Sequence, residues 1–209
     1  MAGGGRYRRI LADGRLGALV SRDTLVAGLR EIAKRSEKAF GDLALAAVRH
    51  EITPQDAKLA GQYLLKDLYN AYAALARGGW SHMDAAAWGR TGRILGLGTK
   101  DYPVGEYTSW RKLIDDITTN PYTEAQIRAR AKLYAGKAYA RYWQEDRLLK
   151  LSAGDLIEER WFDSHDEREC GDCPALADLG WLPLGTLRTV PGAGATECLG
   201  NCRCMLGYR

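Results

Sequence analysis

Thr123-Glu124-Ala125-Gln126-Ile127 opens the longest helix this sequence can form. Threonine followed three residues later by glutamine is a capping box. The hydroxyl accepts from the third amide, and the glutamine side chain reaches back to the threonine amide. Ile127, Ala131, Tyr134, Ala138 and Tyr142 then repeat on one stripe, which predicts a helix over roughly 124–150. The charged run Gln144-Glu145-Asp146-Arg147 leads on to Gly154, where the helical body is expected to stop or kink.

Working outward, the segment 107–118 reads as a helix that ends before Asn120-Pro121. The pattern breaks over 98–105, where Pro103 marks a loop. A shorter helix is predicted over 83–97, with Trp88 and Ile94/Leu95 on its apolar side. Ala85, Gly89, Gly92 and Gly96 give that helix a small-residue face which lets another helix approach closely. Thr53-Pro54-Gln55-Asp56 combines an N-cap hydroxyl, proline at the first helical position and an acid in the first turn. Leu59, Tyr63, Leu68, Tyr72 and Leu75 then follow at helical spacing to Arg77, and Gly78-Gly79 stops the run.

The first helix is expected to start at Ser21, with Val20 and Leu25 spaced as a hydrophobic staple. Leu25, Leu29, Ile32, Ala33 and Phe40 carry it towards Val48, while Gly28 and Gly41 weaken it and allow a break near Gly41. Before it, Asp13-Gly14 is a turn dipeptide between 7–11 and 16–20, so residues 1–20 read as an irregular or hairpin-like arm. There is no internal repeat.

All five cysteines lie in the last forty of the 209 residues, as Cys170-Gly-Asp-Cys173 and Cys198-Leu-Gly-Asn-Cys202-Arg-Cys204. Two thiolate pairs joined by a loop of 24 residues can supply the soft ligands of a tetrahedral zinc site. Cys-x-x-Cys lets one tight turn point two sulfurs at one ion. On the other side Gly200-Asn201 makes a turn that returns Cys198 beside Cys202, while Cys202 and Cys204 share a face of an extended segment. The expected ligands are Cys170, Cys173, Cys198 and Cys202, with Cys204 the rival for the last place and His165 a weaker competitor. One structural zinc held by four of the five cysteines is therefore the expected cofactor. The fold class is mainly α: a body of four or five helices over 21–160, then a small irregular or β zinc-binding unit over 161–209.

Hydrophobic content of 46% and charge of 27% suit one core and a small appendix. A net charge of +4 lacks the dense basic field of a dedicated nucleic-acid binder. Arg6, Arg8, Arg9, Arg15, Arg22, Arg30, Lys34 and Arg35 nevertheless crowd the start, as a solvated arm or as a weak contact to DNA or to an acidic partner. No apolar run approaches the roughly 20 residues of a membrane span. The start lacks the apolar core of a signal peptide, so the expectation is a protein made in a cytoplasm, where cysteines read as metal ligands before disulfides. Eleven tyrosines and six tryptophans against two phenylalanines suit core packing and contacts between subunits.

Catalytic patterns are missing. His50, His82 and His165 are isolated, and no zinc-protease or nucleophile-elbow motif occurs. Asp163, Asp166, Glu167 and Asp172 are most simply solvent-facing charges. Four thiolates leave no open metal position, so the reading is a protein that is not an enzyme.

The tail, running from Trp161 through Cys170-Gly-Asp-Cys173, Gly180-Trp181-Leu-Pro183 and Pro191-Gly192 to Cys198-Leu-Gly-Asn-Cys202-Arg-Cys204, resembles the C-terminal signature of tailed-bacteriophage minor head proteins. That group includes the Mu F-like head morphogenesis proteins, which commonly end in Cys-x-x-Cys and an Asn-Cys-Arg-Cys-like segment. Leu75-Ala76-Arg77-Gly78-Gly79-Trp80, Met83 with Gly89-Arg90, and Arg130-Ala131-Lys132-Leu133-Tyr134-Ala135 are similar to segments of phage virion proteins. Two departures stand out: the F-like proteins usually carry histidine where Cys198 stands, and they are often longer. The resemblance implies a structural protein of the virion, in the head or at the portal and neck, in multiple copies against capsid, portal or neck subunits. The alternative is a zinc-containing nucleic-acid-binding module of the head or packaging apparatus. A hydrolase using Asp163, Asp166 and Glu167 near the zinc is a third reading.

Overall fold

Thr123 caps its helix as the sequence predicts. Its hydroxyl accepts from the Gln126 amide at 3.3 Å, and its own amide donates to Gln126 Oε1 at 2.9 Å. The structure is a computed structural model that describes residues 7–10, 16–20, 22–98, 103–154, 156–165 and 169–209. The capped helix, α5 (Glu124–Ala153), is the axis of the molecule; α1 (Arg22–Val48), α2 (Pro54–Arg77), α3 (Ala85–Gly96) and α4 (Glu106–Thr119) assemble with it into the helical body. A hairpin of β1 (Tyr7–Ile10) and β2 (Leu16–Val20) precedes them, with Tyr7 opposite Val20. Its turn at Asp13-Gly14 and the expected cap Ser21 lie outside the described residues.

The C-terminal unit begins with β3 (Glu158–Phe162), the middle strand of a three-stranded antiparallel sheet. β4 (Leu182–Pro183) pairs on one side of it and β5 (Met205–Tyr208) on the other, with Trp161 opposite Leu206. A short α6 (Asp172–Ala177) stands between β3 and β4. Among the described residues the fold is mainly helical, with five helices in the body and this small sheet at the end. Among the described residues no helix is long and apolar enough to cross a membrane.

Packing overrode local propensity at three places. α1 runs unbroken through Gly41, because α5 crosses there: a Cβ at Gly41 would come within 3.1 Å of Arg128 Nη1, which donates to Asp42 at 2.8 Å. On α2 the expected stripe is rotated. Leu59 and Tyr63 face solvent, and Ala57, Gly61, Leu65, Leu68 and Tyr72 form the buried face. The reason is Trp110 of α4, fully buried, whose indole donates to the Ala57 carbonyl at 3.1 Å and sets its nitrogen edge against Gly61. On α3 Trp88 is not on the apolar side; Ala87, Thr91 and Leu95 are buried, while Trp88 stacks outside on Trp80 with ring centroids 5.9 Å apart. The small-residue face at Gly89 and Gly92 meets nothing within 4 Å of where a Cβ would be, so among the described residues no helix packs on it.

Gly61 carries a prediction. A Cβ there would sit 1.9 Å from Trp110 Nε1, so Gly61→Ala must displace the indole and break its bond to Ala57. The expected loss is about 3 kcal/mol, read as a lower urea midpoint at unchanged slope. An unaltered midpoint would contradict this packing.

On α5 the expected stripe of Ile127, Ala131, Tyr134, Ala138 and Tyr142 is buried. So is much of the opposite side, including Ala135, Gly136, Tyr139, Ala140 and Trp143. An amphipathic pattern shows only one covered face. This helix is covered on both, because the C-terminal unit closes over the side the body leaves open, and Trp161, Leu176 and Leu206 join the same core. Most of the aromatic residues thus build this chain's own interior. Tyr63, Trp80 and Trp88 are the tyrosine and tryptophans that remain exposed among the large hydrophobics of the described residues.

Candidate metal centre

Cys170 precedes α6 and Cys173 lies in its first turn, where the Cys173 amide donates to the Cys170 carbonyl at 3.2 Å. That local turn brings the two sulfurs to 3.4 Å. Cys198 and Cys202 flank a 3-10 turn (Leu199–Asn201), and Cys204 immediately precedes β5. Two long-range hydrogen bonds clamp the halves together: the Glu197 amide donates to Asp172 at 2.9 Å, and the Gly171 amide donates to Glu197 at 3.1 Å. The Cys173 and Cys198 sulfurs are then 3.8 Å apart.

The five sulfurs form two overlapping sets of three, Cys170/Cys173/Cys198 and Cys173/Cys202/Cys204, each within 4.8 Å of one another. Cys173 belongs to both. Cys173, Cys202 and Cys204 are buried; Cys170 and Cys198 are partly open to a cleft of about 710 Å³ that gives a cation a way in. This cysteine cluster can hold a metal ion.

What seats the cluster on the body is backbone against backbone. A Cβ on Gly136 of α5 would lie 2.1 Å from the Gly200 carbonyl oxygen, and one on Gly200 would lie 2.8 Å from the Lys137 amide. Only glycine on both sides permits that contact. Tyr139 adds a bond from its hydroxyl to the Cys204 carbonyl at 3.2 Å. The turn that spaces Cys198 from Cys202 is therefore pressed directly on the long helix.

The electrostatics alternate around the sulfurs. A hydrogen bond from Cys202, helped by Thr196, Cys170 and Cys173 and opposed by burial, pulls the Cys198 thiol down to about 5. Cys204 is also lowered, by Cys202 first and against burial, with Cys173 and the Trp161 indole contributing. Cys202 is pushed up as donor to Cys198 and Cys204 within buried surroundings. Burial, then bonds to Cys204 and Cys170, pushes Cys173 up. Hydrogen bonding thus favours the thiolate at Cys198 and Cys204 and the thiol at Cys173 and Cys202, whose protons a cation would replace. Such a set offers soft sulfur ligands to a cation.

His165 stands apart. Its side chain is 82% exposed and pairs with Asp163 at 3.0 Å, grouped with Asp163 and Glu169 and with none of the sulfurs. Asp172 and Asp163 correct the reading of solvent-facing charges. Asp172 is the acceptor of the loop clamp, and the Asp163 side chain is only 8% exposed beneath His165. Asp166 and Glu167 lie outside the described residues. Residues that sequence reasoning missed are Glu197, Tyr139 and Gly136, which have no local signature because each acts on a partner distant in sequence; Gly200 was readable as a turn residue, but its contact with α5 was not.

The chain matches no protein-family model, no curated protein and no solved structure.

Proposed function

We propose that this chain is a structural protein of a tailed-phage particle, in the head or at the portal and neck, whose C-terminal unit is stapled by one zinc ion. The observation that carries the zinc part is the sulfur geometry. A tetrahedron with zinc–sulfur bonds of about 2.3 Å has edges of about 3.8 Å, and the Cys170–Cys173 and Cys173–Cys198 separations are 3.4 and 3.8 Å. Cys170, Cys173, Cys198 and Cys202 are the ligands, and Cys204 rests beside them against Trp161. The metal supplies no chemistry beyond cross-linking; it holds together loops that have little regular structure of their own.

The virion assignment draws on the resemblance of the tail and body segments to minor head proteins. A role in packing rests on that resemblance and on a cysteine cluster suited to a cross-linking ion. The exposed Trp80–Trp88 stack and Tyr63 give the body rigid aromatic surface for neighbouring subunits. The side chains of the most basic N-terminal residues, Arg6 to Arg22, are outside those described, so nothing in the geometry raises DNA contact above this reading.

Mass spectrometry of intact purified particles of the encoding phage tests the assignment. The expected result is the chain at a fixed stoichiometry of several copies per particle. Its absence from particles, together with a monomeric purified protein, overturns the proposal.

A further inference from the structure

A second cavity, of about 740 Å³, lies between α3, α5 and the loop around Gly185 and Val190, far in sequence from any cysteine ligand on its helical walls. We infer that this cleft binds a small anionic amphiphile, a carboxylate or sulfonate carried on an apolar chain or ring. The inference does not depend on the metal centre or on the virion assignment.

The apolar half of the argument is the walls. Ala86 and Gly89 form the α3 side, and open space lies where a Gly89 side chain would be. On the α5 side Leu148 and Leu151 are 40% and 46% exposed, with Ile94 beside them. Leucines left that open at the mouth of a cleft of this size gain by covering with an apolar body, and the volume falls in the range of small-molecule sites.

The charged half is an imbalance of guanidinium over carboxylate. Arg90, Arg93, Arg141 and Arg147 line the cleft, and among the described residues no acidic one does. Arg147 is satisfied behind the wall by Glu159 at 2.7 Å and the Leu187 carbonyl at 2.7 Å. Arg77, Arg90 and Arg141 instead share the single buried carboxylate of Glu145, at 2.6 Å from Arg77, 3.1 Å from Arg90 Nε and 2.7 Å from Arg141. Asp84, at 2.5 Å from Arg77, is the other acid bound to this node among the described residues. Arg93 has no acidic partner among the described residues. Five arginines in and behind the cleft wall, Arg77, Arg90, Arg93, Arg141 and Arg147, thus meet three carboxylates, Glu145, Asp84 and Glu159, and the low-dielectric walls strengthen the excess field. An anion at the Arg90/Arg93 side with its apolar part against Leu148 and Leu151 answers both features at once.

The experiment uses the full chain and anilinonaphthalene sulfonate as a fluorescent probe, displaced by decanoate or by uncharged decanol. Saturable binding of one probe per chain is expected, with decanoate displacing it at concentrations at least about ten-fold below decanol, a difference of about 1.4 kcal/mol. Gly89→Leu should abolish binding by filling the cleft, while its circular dichroism and melting temperature stay at or above the parent values, since leucine favours helix over glycine. Arg93→Glu should weaken binding by about ten-fold, with the loss largest at low salt. Absence of saturable binding overturns the inference, as does equal displacement by decanol or unchanged affinity in both variants.

Discussion

Replacing Cys173 with serine is expected to abolish metal binding and to release the C-terminal unit while the helical body stays folded. Cys173 is the one cysteine common to both three-sulfur sets, so no rearrangement of the remaining four keeps either set whole. Structural zinc sites in small units contribute on the order of 10 kcal/mol, but here part of that is shared with the burial of Trp161, Leu176 and Leu206 against the body. A net loss of about 3–5 kcal/mol corresponds to a melting temperature lower by roughly 10 °C for a chain of this size. Metal analysis should find one zinc per chain in the parent protein and none in the variant. Hydrogen exchange should show protection lost over 158–208 and kept over 54–77. A Cys173→Ser protein that retains a full equivalent of metal sinks the proposed ligand set. Within the same series Cys202→Ser loses the ion and Cys204→Ser keeps it. The affinity should also fall as pH is lowered, because ligation displaces thiol protons; Cys198, held at about 5, is the last of the perturbed thiols with a defined value to be reprotonated.

Glu145→Gln is the second large effect. The Glu145 side chain is wholly inaccessible and accepts from Arg77, Arg90 and Arg141. Burial alone raises its pKa. The hydrogen bonds from Arg90, the charge of Arg141 and the bond from Arg77 outweigh that and hold it at about 2. Neutralising the carboxylate leaves three guanidiniums facing one another in a desolvated setting, where breaking such a group costs about 3–5 kcal/mol. The pH dependence follows in sign. A carboxylate depressed in the folded state stabilises fully above its unfolded value of 4.5, and that contribution is lost as pH falls from there through about 2. Chemical denaturation from neutral to acid pH should therefore show a decline in the parent that is smaller in Glu145→Gln. A difference below about 1 kcal/mol at neutral pH would mean that the network relaxes without cost.

Much of this was legible before any coordinates. Thr53, Pro54 and Thr123 announce their helices through local hydrogen bonds, and those signals survive intact because caps involve residues three apart. The stripe on α5 was readable for the same reason. The buried face of α2 was not. Leu59 and Tyr63 match a helical period as well as Leu65 and Leu68 do, and only the arrival of Trp110 on Gly61 chooses between them. Trp88 was misplaced because its partner is another exposed tryptophan and not the core. Of the Glu145 network only Arg141, one turn away on α5, was within local reach, because Arg77 and Arg90 come from α2 and α3.

The sequence by itself determined the order of the five body helices, the capped starts of α2 and α5 and the fact that five thiols gather in one terminal unit, since each depends on neighbours along the chain. Tertiary structure alone decided which sulfurs meet, how the cysteine loop seats on α5 through Gly136 and Gly200, and where the excess arginine charge gathers. Those outcomes rest on contacts between residues tens of positions apart. Such contacts exist only once hydrophobic burial has chosen one face of each helix over another of equal period.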